Sequence, residues 1–161
     1  MRVALLLSLL VATSATAAPA KEIVVPPGRE RAYTQYHYAP AVRVGDTVWV
    51  SGIPAPADGD ESSRYTRLFE RLDEVLKTAG ATLADVVEIQ SFHTNLADSA
   101  AFQAHFAKFL EGHKVAFPAG YPAWTAVGTT ALLAPGSAVE LRAVAVVGAG
   151  KRVSFRGVTP E

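Results

Sequence analysis

The sequence predicts an α+β domain, one mixed β-sheet with two helices packed on one of its faces. Three observations lead there. β-rich runs and helical stripes follow one another in the order ββ-α-β-α-ββ, with no internal repeat and no linker between them. Half of the 161 residues are hydrophobic and 19% are charged, which suits a single globular domain able to bury a core. Two helices can cover only one face of a sheet of four or five strands. The other face is left for a partner, so self-association is expected.

Each element follows from local chemistry. Ile23-Val24-Val25 reads as a short strand before the Pro26-Pro27-Gly28 break. Ala41 to Val44 and Thr47 to Val50 flank Gly45-Asp46, and two β-rich runs around such a pair read as a tight hairpin. Ser51-Gly52 ends the second strand, and Pro54 to Gly59 is a loop. Tyr65, Leu68, Phe69, Leu72, Val75 and Leu76 form one apolar stripe on a charged segment. That helix stops at Ala79-Gly80, where glycine suits the left-handed residue that follows a helix. Val86 to Thr94 reads as a buried strand. Asp98 is placed to cap a second helix with Phe102, Phe106 and Phe109 on one face and Gly112 at its end. A proline-marked stretch, Phe117 to Pro122, leads to a strand from Trp124 to Leu133. Pro135-Gly136 then turns the chain into the last strand, Val139 to Val147.

Residues 1–20 stand apart from this domain. Met1-Arg2 supplies a positive charge, Val3 to Val11 is nearly all apolar, and Ala15-Thr16-Ala17-Ala18-Pro19-Ala20 follows. That is the layout of a secretory signal peptide, with cleavage after Ala17 or Ala20. The apolar run falls short of the roughly 20 residues that span a bilayer. The protein is therefore expected to be exported, periplasmic or secreted, with no membrane attachment after cleavage. Without residues 1–20 the chain has 14 basic and 15 acidic residues, a net charge of −1, which argues against a nucleic-acid partner. The domain takes residues 21–147. Residues 148–161, with Lys151, Arg152 and Arg156, read as a solvated tail.

The absence of cysteine excludes disulfides, thiolate metal sites and a cysteine nucleophile. His37, His93, His105 and His113 fall on different elements without ligand spacing, so no metal is expected. No Walker loop, dinucleotide fingerprint, zinc-protease helix or nucleophile elbow is present, and no cofactor is expected. Any chemistry must come from ordinary polar residues in a cleft.

Several segments in combination resemble a known family. Tyr38-Ala39-Pro40-Ala41-Val42-Arg43-Val44-Gly45-Asp46 with Val48-Trp49-Val50-Ser51-Gly52 resembles the opening hairpin of the Rid (YjgF-like) family. Leu72, Val75-Leu76, Ala79-Gly80-Ala81, Leu83 and Asp85-Val86-Val87 resemble its first helix and exit. Pro122 to Val127 and Val139 to Ala145 lie where its closing strands belong. The resemblance runs from about Tyr33 to Val147. It implies a chorismate-mutase-like (RidA-like) fold and a homotrimer with a small-molecule cleft at each subunit interface. The best-known members hydrolyse enamines and imines such as 2-iminopropanoate to a 2-keto acid and ammonia.

Carried over residue by residue, the resemblance makes Glu140 the group that handles water and protons. Tyr38 becomes its catalytic companion, and Ser51 and Gly52 become the loop lining the cleft. The family's P-A-R-[ST] motif reads Pro122-Ala123-Trp124-Thr125, so Trp124 stands where an arginine holds the substrate carboxylate, with Thr125 beside it. An asparagine on the second helix corresponds to Gln103. Trp124 offers one N–H and a ring face that could stack an aromatic ligand or hold a cation, but it cannot neutralise a carboxylate. Arg142, two residues beyond Glu140 on the same strand face, is a candidate replacement.

Plainer roles stay open for all of these residues. Glu140 could be a salt-bridged strand residue, and Tyr38 and Trp124 could pack at an interface. Ser51-Gly52 could form a turn, and Arg142 could pair with a carboxylate such as Glu88. The functional expectation is a Rid-type protein weak or altered in deaminase activity. The alternative is a non-catalytic small-molecule-binding trimer. Endoribonuclease activity, which an older family name suggests, fits the charge least.

Overall fold

The computed structural model describes residues 17–113 and 120–157. Most of the expected signal peptide, the start of the proline-marked stretch and the last four residues lie outside these.

Among the described residues the α-helices and strands follow in this order: β1 (Lys21–Val24), α1 (Glu30–Thr34), β2 (Ala41–Val44), β3 (Thr47–Pro54), α2 (Glu61–Thr78), β4 (Val86–His93), α3 (Ser99–Gly112), β5 (Ala123–Gly128) and β6 (Val139–Val146). The strands form one mixed sheet in the order β1-β2-β3-β6-β4-β5, six strands rather than four or five. Every neighbouring pair is antiparallel except β4 and β5, which are parallel and joined through α3. The β2–β3 hairpin turns at Gly45, whose φ of +58° is the backbone state that glycine adopts at little cost.

The α2 stripe is the one read from the sequence: Tyr65, Leu68, Phe69, Leu72, Val75 and Leu76 are all buried. With Phe102, Phe106 and Leu110 of α3 they cover Val48, Val50, Ile89, Val139, Leu141, Ala143 and Ala145 of the sheet. Phe69 is the hub of an aromatic cluster, with ring centroids 5.3 Å from Phe102 and 5.0 Å from Phe106. Truncating a fully buried Leu72 or Leu76 to alanine in such a core costs about 2–5 kcal/mol.

Helix α2 is capped by Asp60, whose carboxylate accepts the Ser63 N–H at 2.8 Å. Three sequence expectations change in detail. Asp98 holds the N-cap position of α3, as expected, but its side chain makes no capping hydrogen bond. It is already helical inside a 3-10 turn, Leu96–Asp98, whose cap is Asn95. The strand expected from Trp124 to Leu133 ends at Gly128, because β4 ends at its partner His93 and leaves no ladder to continue. Phe109 is only partly buried, and Leu110 takes the core position.

Among the described residues no helix covers the opposite face of the sheet. Val42, Trp49, Phe92, Glu140, Arg142 and Val144 lie on it, and Trp49 is 42% exposed. The tail starts with a turn that packs back on the domain. The Gly150 N–H donates to the buried Asp85 carboxylate at 3.1 Å, while Lys151 to Gly157 is exposed.

Candidate functional site

Tyr38, Ser51 and Gly52 fall in one concavity and Trp124 in another, while Glu140, Thr125 and Arg142 line neither. Tyr38, Pro40, Ser51, Gly52, Ile53 and Pro54 line a cleft of about 90 Å³ whose far wall is Arg71, Glu74 and Val75 of α2. It exists because β3 slips register against β6 between Val50 and Ile53, so Ser51 and Gly52 bulge from the ladder. Ser51 is tied on both sides of its α-carbon. Its N–H donates to the Pro40 carbonyl at 2.9 Å and its hydroxyl to the Ala39 carbonyl at 2.7 Å. The bulge therefore fixes the segment that presents Tyr38, which is 47% exposed and whose own N–H donates to the Ala32 carbonyl.

Gly52 joins the cleft to Glu140. A β-carbon at Gly52 would fall 2.1 Å from Glu140 Oε1 and 2.7 Å from its Cδ, so only glycine leaves the carboxylate in place. Glu140 stands opposite Pro54 on one side and Phe92 on the other. The structure thus brings Tyr38, Ser51 and Gly52 together in the cleft and sets Glu140 against Gly52, outside the cleft's lining.

Trp124 is elsewhere. In β5 it lies beside Ile89, on the helix-covered face, whereas Glu140 is on the open face. Its indole packs near Phe102, rings at 27° and centroids 6.4 Å apart. Together with Ile89, Gln103, Phe106, Tyr121 and Pro122 it lines a pocket of about 360 Å³ with mostly apolar walls. The indole N–H donates to Ser91 Oγ at 2.8 Å. Ser91 Oγ is also 2.9 Å from His93 Nε2, and both residues are fully buried. The serine proton is then free to go to His93, completing a polar chain from Trp124 into the core. Burial pushes the His93 pKa below its ordinary value, opposed in part by Asp98, so the imidazole is neutral near pH 7. Trp124 consequently offers the pocket its ring face, while its one donor is held by Ser91.

Thr125 is exposed on the open face, away from the Trp124 pocket. Arg142 shares that face with Glu140 and stands opposite Gln90, while Glu88 stands opposite Val144. Among the described residues Arg142 makes no salt bridge.

Sequence reasoning missed Arg71, Ser91 and His93. Arg71 is at the edge of the α2 stripe, one residue before Leu72 and four before Val75, which aims it toward the cleft wall. Ser91 and His93 alternate with Gln90 and Phe92 on a strand whose inward face is otherwise apolar. That period-two polar pair was the available signal.

A six-stranded mixed sheet with its two long helices on one face defines a chorismate-mutase-like α+β protein. Residues 29–147 match the protein family described as endoribonuclease L-PSP. The chain belongs to this family, the YjgF/Rid group. It is 34% identical over 113 residues to the RutC family protein YjgH of Escherichia coli, covering 66% of this chain and 82% of that protein. A YjgF/YER057c/UK114 family structure from Mycobacterium tuberculosis superposes with a TM-score of 0.65 at 30% identity, covering 80% of this chain and all of the other. Escherichia coli TdcF, solved with bound serine, gives 0.59 at 26% identity over 68% of this chain and 87% of that one.

Proposed function

We propose that the protein is an exported, homotrimeric member of the family that handles a small molecule in clefts between its copies. Its chemistry would be hydrolysis of an imine or enamine of altered specificity. The observation that carries this reading is the split of the candidate residues. Tyr38 lines one concavity, with Glu140 set against its Gly52, and Trp124 with Gln103 lines another, while Glu140 and Trp124 project from opposite faces of the sheet. A single site using both sets needs two protomers, and the open sheet face with Trp49 and Val144 gives them a surface to meet on. The serine bound by the TdcF relative supports a small amino-acid-like ligand class.

In this reading Glu140 takes and returns the proton of the attacking water. Tyr38 orients the substrate, and the Gly52 bulge holds the carboxylate in register. Trp124 contributes an apolar ring surface, which disfavours a ligand carboxylate in its half of the site.

One specific observation favours a second reading, binding without turnover. The Trp124 N–H is already committed to Ser91, so its pocket offers stacking but little polar chemistry. Steady-state hydrolysis of 2-iminopropanoate separates the two. The enzymatic reading expects slow turnover abolished by Glu140→Gln and raised by Trp124→Arg, and turnover unchanged by Glu140→Gln would refute it. Native mass spectrometry of the mature chain is expected to give a trimer. Its intact mass is expected to show loss of residues 1–17 or 1–20.

A further inference from the structure

We propose that Arg71 is the anion-binding residue of the cleft lined by Tyr38, Ser51 and Gly52, and that its ligand is a small monocarboxylate. This rests on the proposed reading of that cleft as a ligand site and adds the group that recognises the ligand.

Arg71 lines the cleft and also a groove of about 480 Å³ on its outer side. The arginines around it have carboxylate partners. Arg29 pairs with Glu74 at 3.5 Å and Arg67 with Asp58 at 3.0 Å. Arg67 also donates to the Asp58 backbone carbonyl, and its guanidinium holds the Asp58 carboxyl below the usual range. Glu70, on the groove side, is exposed. Among the described residues Arg71 itself makes no hydrogen bond and no salt bridge.

A half-buried guanidinium in that position has no carboxylate in direct contact, and the nearby Glu74 is paired with Arg29. Burial, then Arg29 and Arg67, lower its pKa, with Glu74 and Tyr38 opposing, yet an arginine stays charged in water-exposed clefts. The arrangement disfavours the cation it contains, and an incoming anion reverses that. A guanidinium fork matches a carboxylate with two parallel charge-assisted hydrogen bonds. The rest of the wall is Pro40, Ile53, Pro54 and Val75, which suits a short apolar or planar remainder. Glu140 at Gly52 repels a second negative charge, which limits the ligand to one.

The clamp therefore comes from the first long helix, on the Tyr38 side of the site. Neither the Trp124 position nor Arg142 is needed for it.

Isothermal titration of the mature protein with pyruvate, and with neutral pyruvamide, tests the assignment. Wild type is expected to bind pyruvate in preference to pyruvamide. Arg71→Gln is expected to weaken pyruvate at least about tenfold and leave pyruvamide unchanged. Arg71→Lys, which keeps the charge and loses the fork, should fall between, and it serves as the reading if the glutamine variant does not fold. Arg67→Gln, on the paired neighbour, should stay within about twofold of wild type. Equal pyruvate affinity in Arg71→Gln, or no preference for pyruvate in wild type, overturns the proposal. Turnover is read separately. Arg71-dependent pyruvate binding without any hydrolysis of 2-iminopropanoate would sustain the clamp and refute the enzymatic reading.

Discussion

Replacing Ser91 with alanine removes one hydroxyl that serves two buried partners. The hydroxyl accepts the Trp124 N–H at 2.8 Å and lies 2.9 Å from His93 Nε2, and His93 Nδ1 has no partner among the described residues. Without it the imidazole loses its remaining hydrogen bond in a fully buried position, and the indole N–H loses its acceptor. An orphaned buried polar group costs about 1–3 kcal/mol. The half-buried indole can recover part of its share from water, so about 3 kcal/mol is the expected total. With a urea m-value of about 2 kcal/mol per molar, the unfolding midpoint should fall by about 1.5 M. The measurement is urea denaturation by tryptophan fluorescence, at one fixed protein concentration because self-association would shift the midpoint. In a Trp124→Phe background the indole donor is gone, so the same Ser91→Ala change should cost about 1 kcal/mol less. A midpoint shift below about 0.3 M, or equal costs in both backgrounds, would refute the Trp124–Ser91–His93 chain as a stabilising unit.

Two other outcomes follow from the same geometry. In Gly52→Ala the new methyl, at 2.1 Å, must reach ordinary contact at 3.4 Å, which displaces the Glu140 carboxylate by about 1.3 Å. Because a side-chain end moves rather than backbone, thermal stability should be nearly unchanged, while the proposed imine hydrolysis should fall about a hundredfold; hydrolysis retained at the wild-type rate would show that Glu140 is not at the reacting centre. His93 has a pKa held below its ordinary 6.5 by burial. The unfolded chain therefore takes up a proton before the folded one does, and stability that is complete above pH 6.5 declines as pH falls toward the folded value. Urea midpoints measured from pH 7.5 to 5.5 should show that slope in wild type and lose it in His93→Gln, and an unchanged slope would assign the effect to other groups.

The fold was legible wherever one side of an element is apolar. The α2 stripe, the Gly45 turn and the alternation of β6 each identify their element without tertiary knowledge. The sixth strand was less so, because Lys21-Glu22-Ile23-Val24 has three exposed residues and gains its strand character by pairing with β2. Helix α1 was missed for a similar reason: it is five residues long and buries none of them. In the site, the resemblance pointed to Tyr38, Ser51, Gly52 and Glu140; the first three line one cleft, and Glu140 meets it only through Gly52. That Trp124 and Glu140 point to opposite faces was readable in principle. It depends on a parallel β4–β5 register and a β3 bulge, and both are set by pairing across long sequence separations. Arg71 was hidden for another reason, since a lone arginine on a charged helix face looks like any solvated one until the cleft behind it is seen.

Strand β6 is the last in sequence and lies between β3 and β4 in space. Until it arrives the chain consists of two unmatched pieces: a β1-β2-β3 meander with α2, and a β4-α3-β5 crossover. Each presents a bare strand edge to the other. Neither piece can complete the core, because Val139, Leu141, Ala143 and Ala145, all essentially inaccessible in the folded chain, belong to the same buried cluster as the apolar faces of both helices. Folding is thereby gated on the C-terminal end of the domain. It waits through most of synthesis, and it is slowed by closing the long loops that precede the central ladder. A chain cut before Val139 is then not a smaller version of this protein but an aggregation-prone pair of half-sheets.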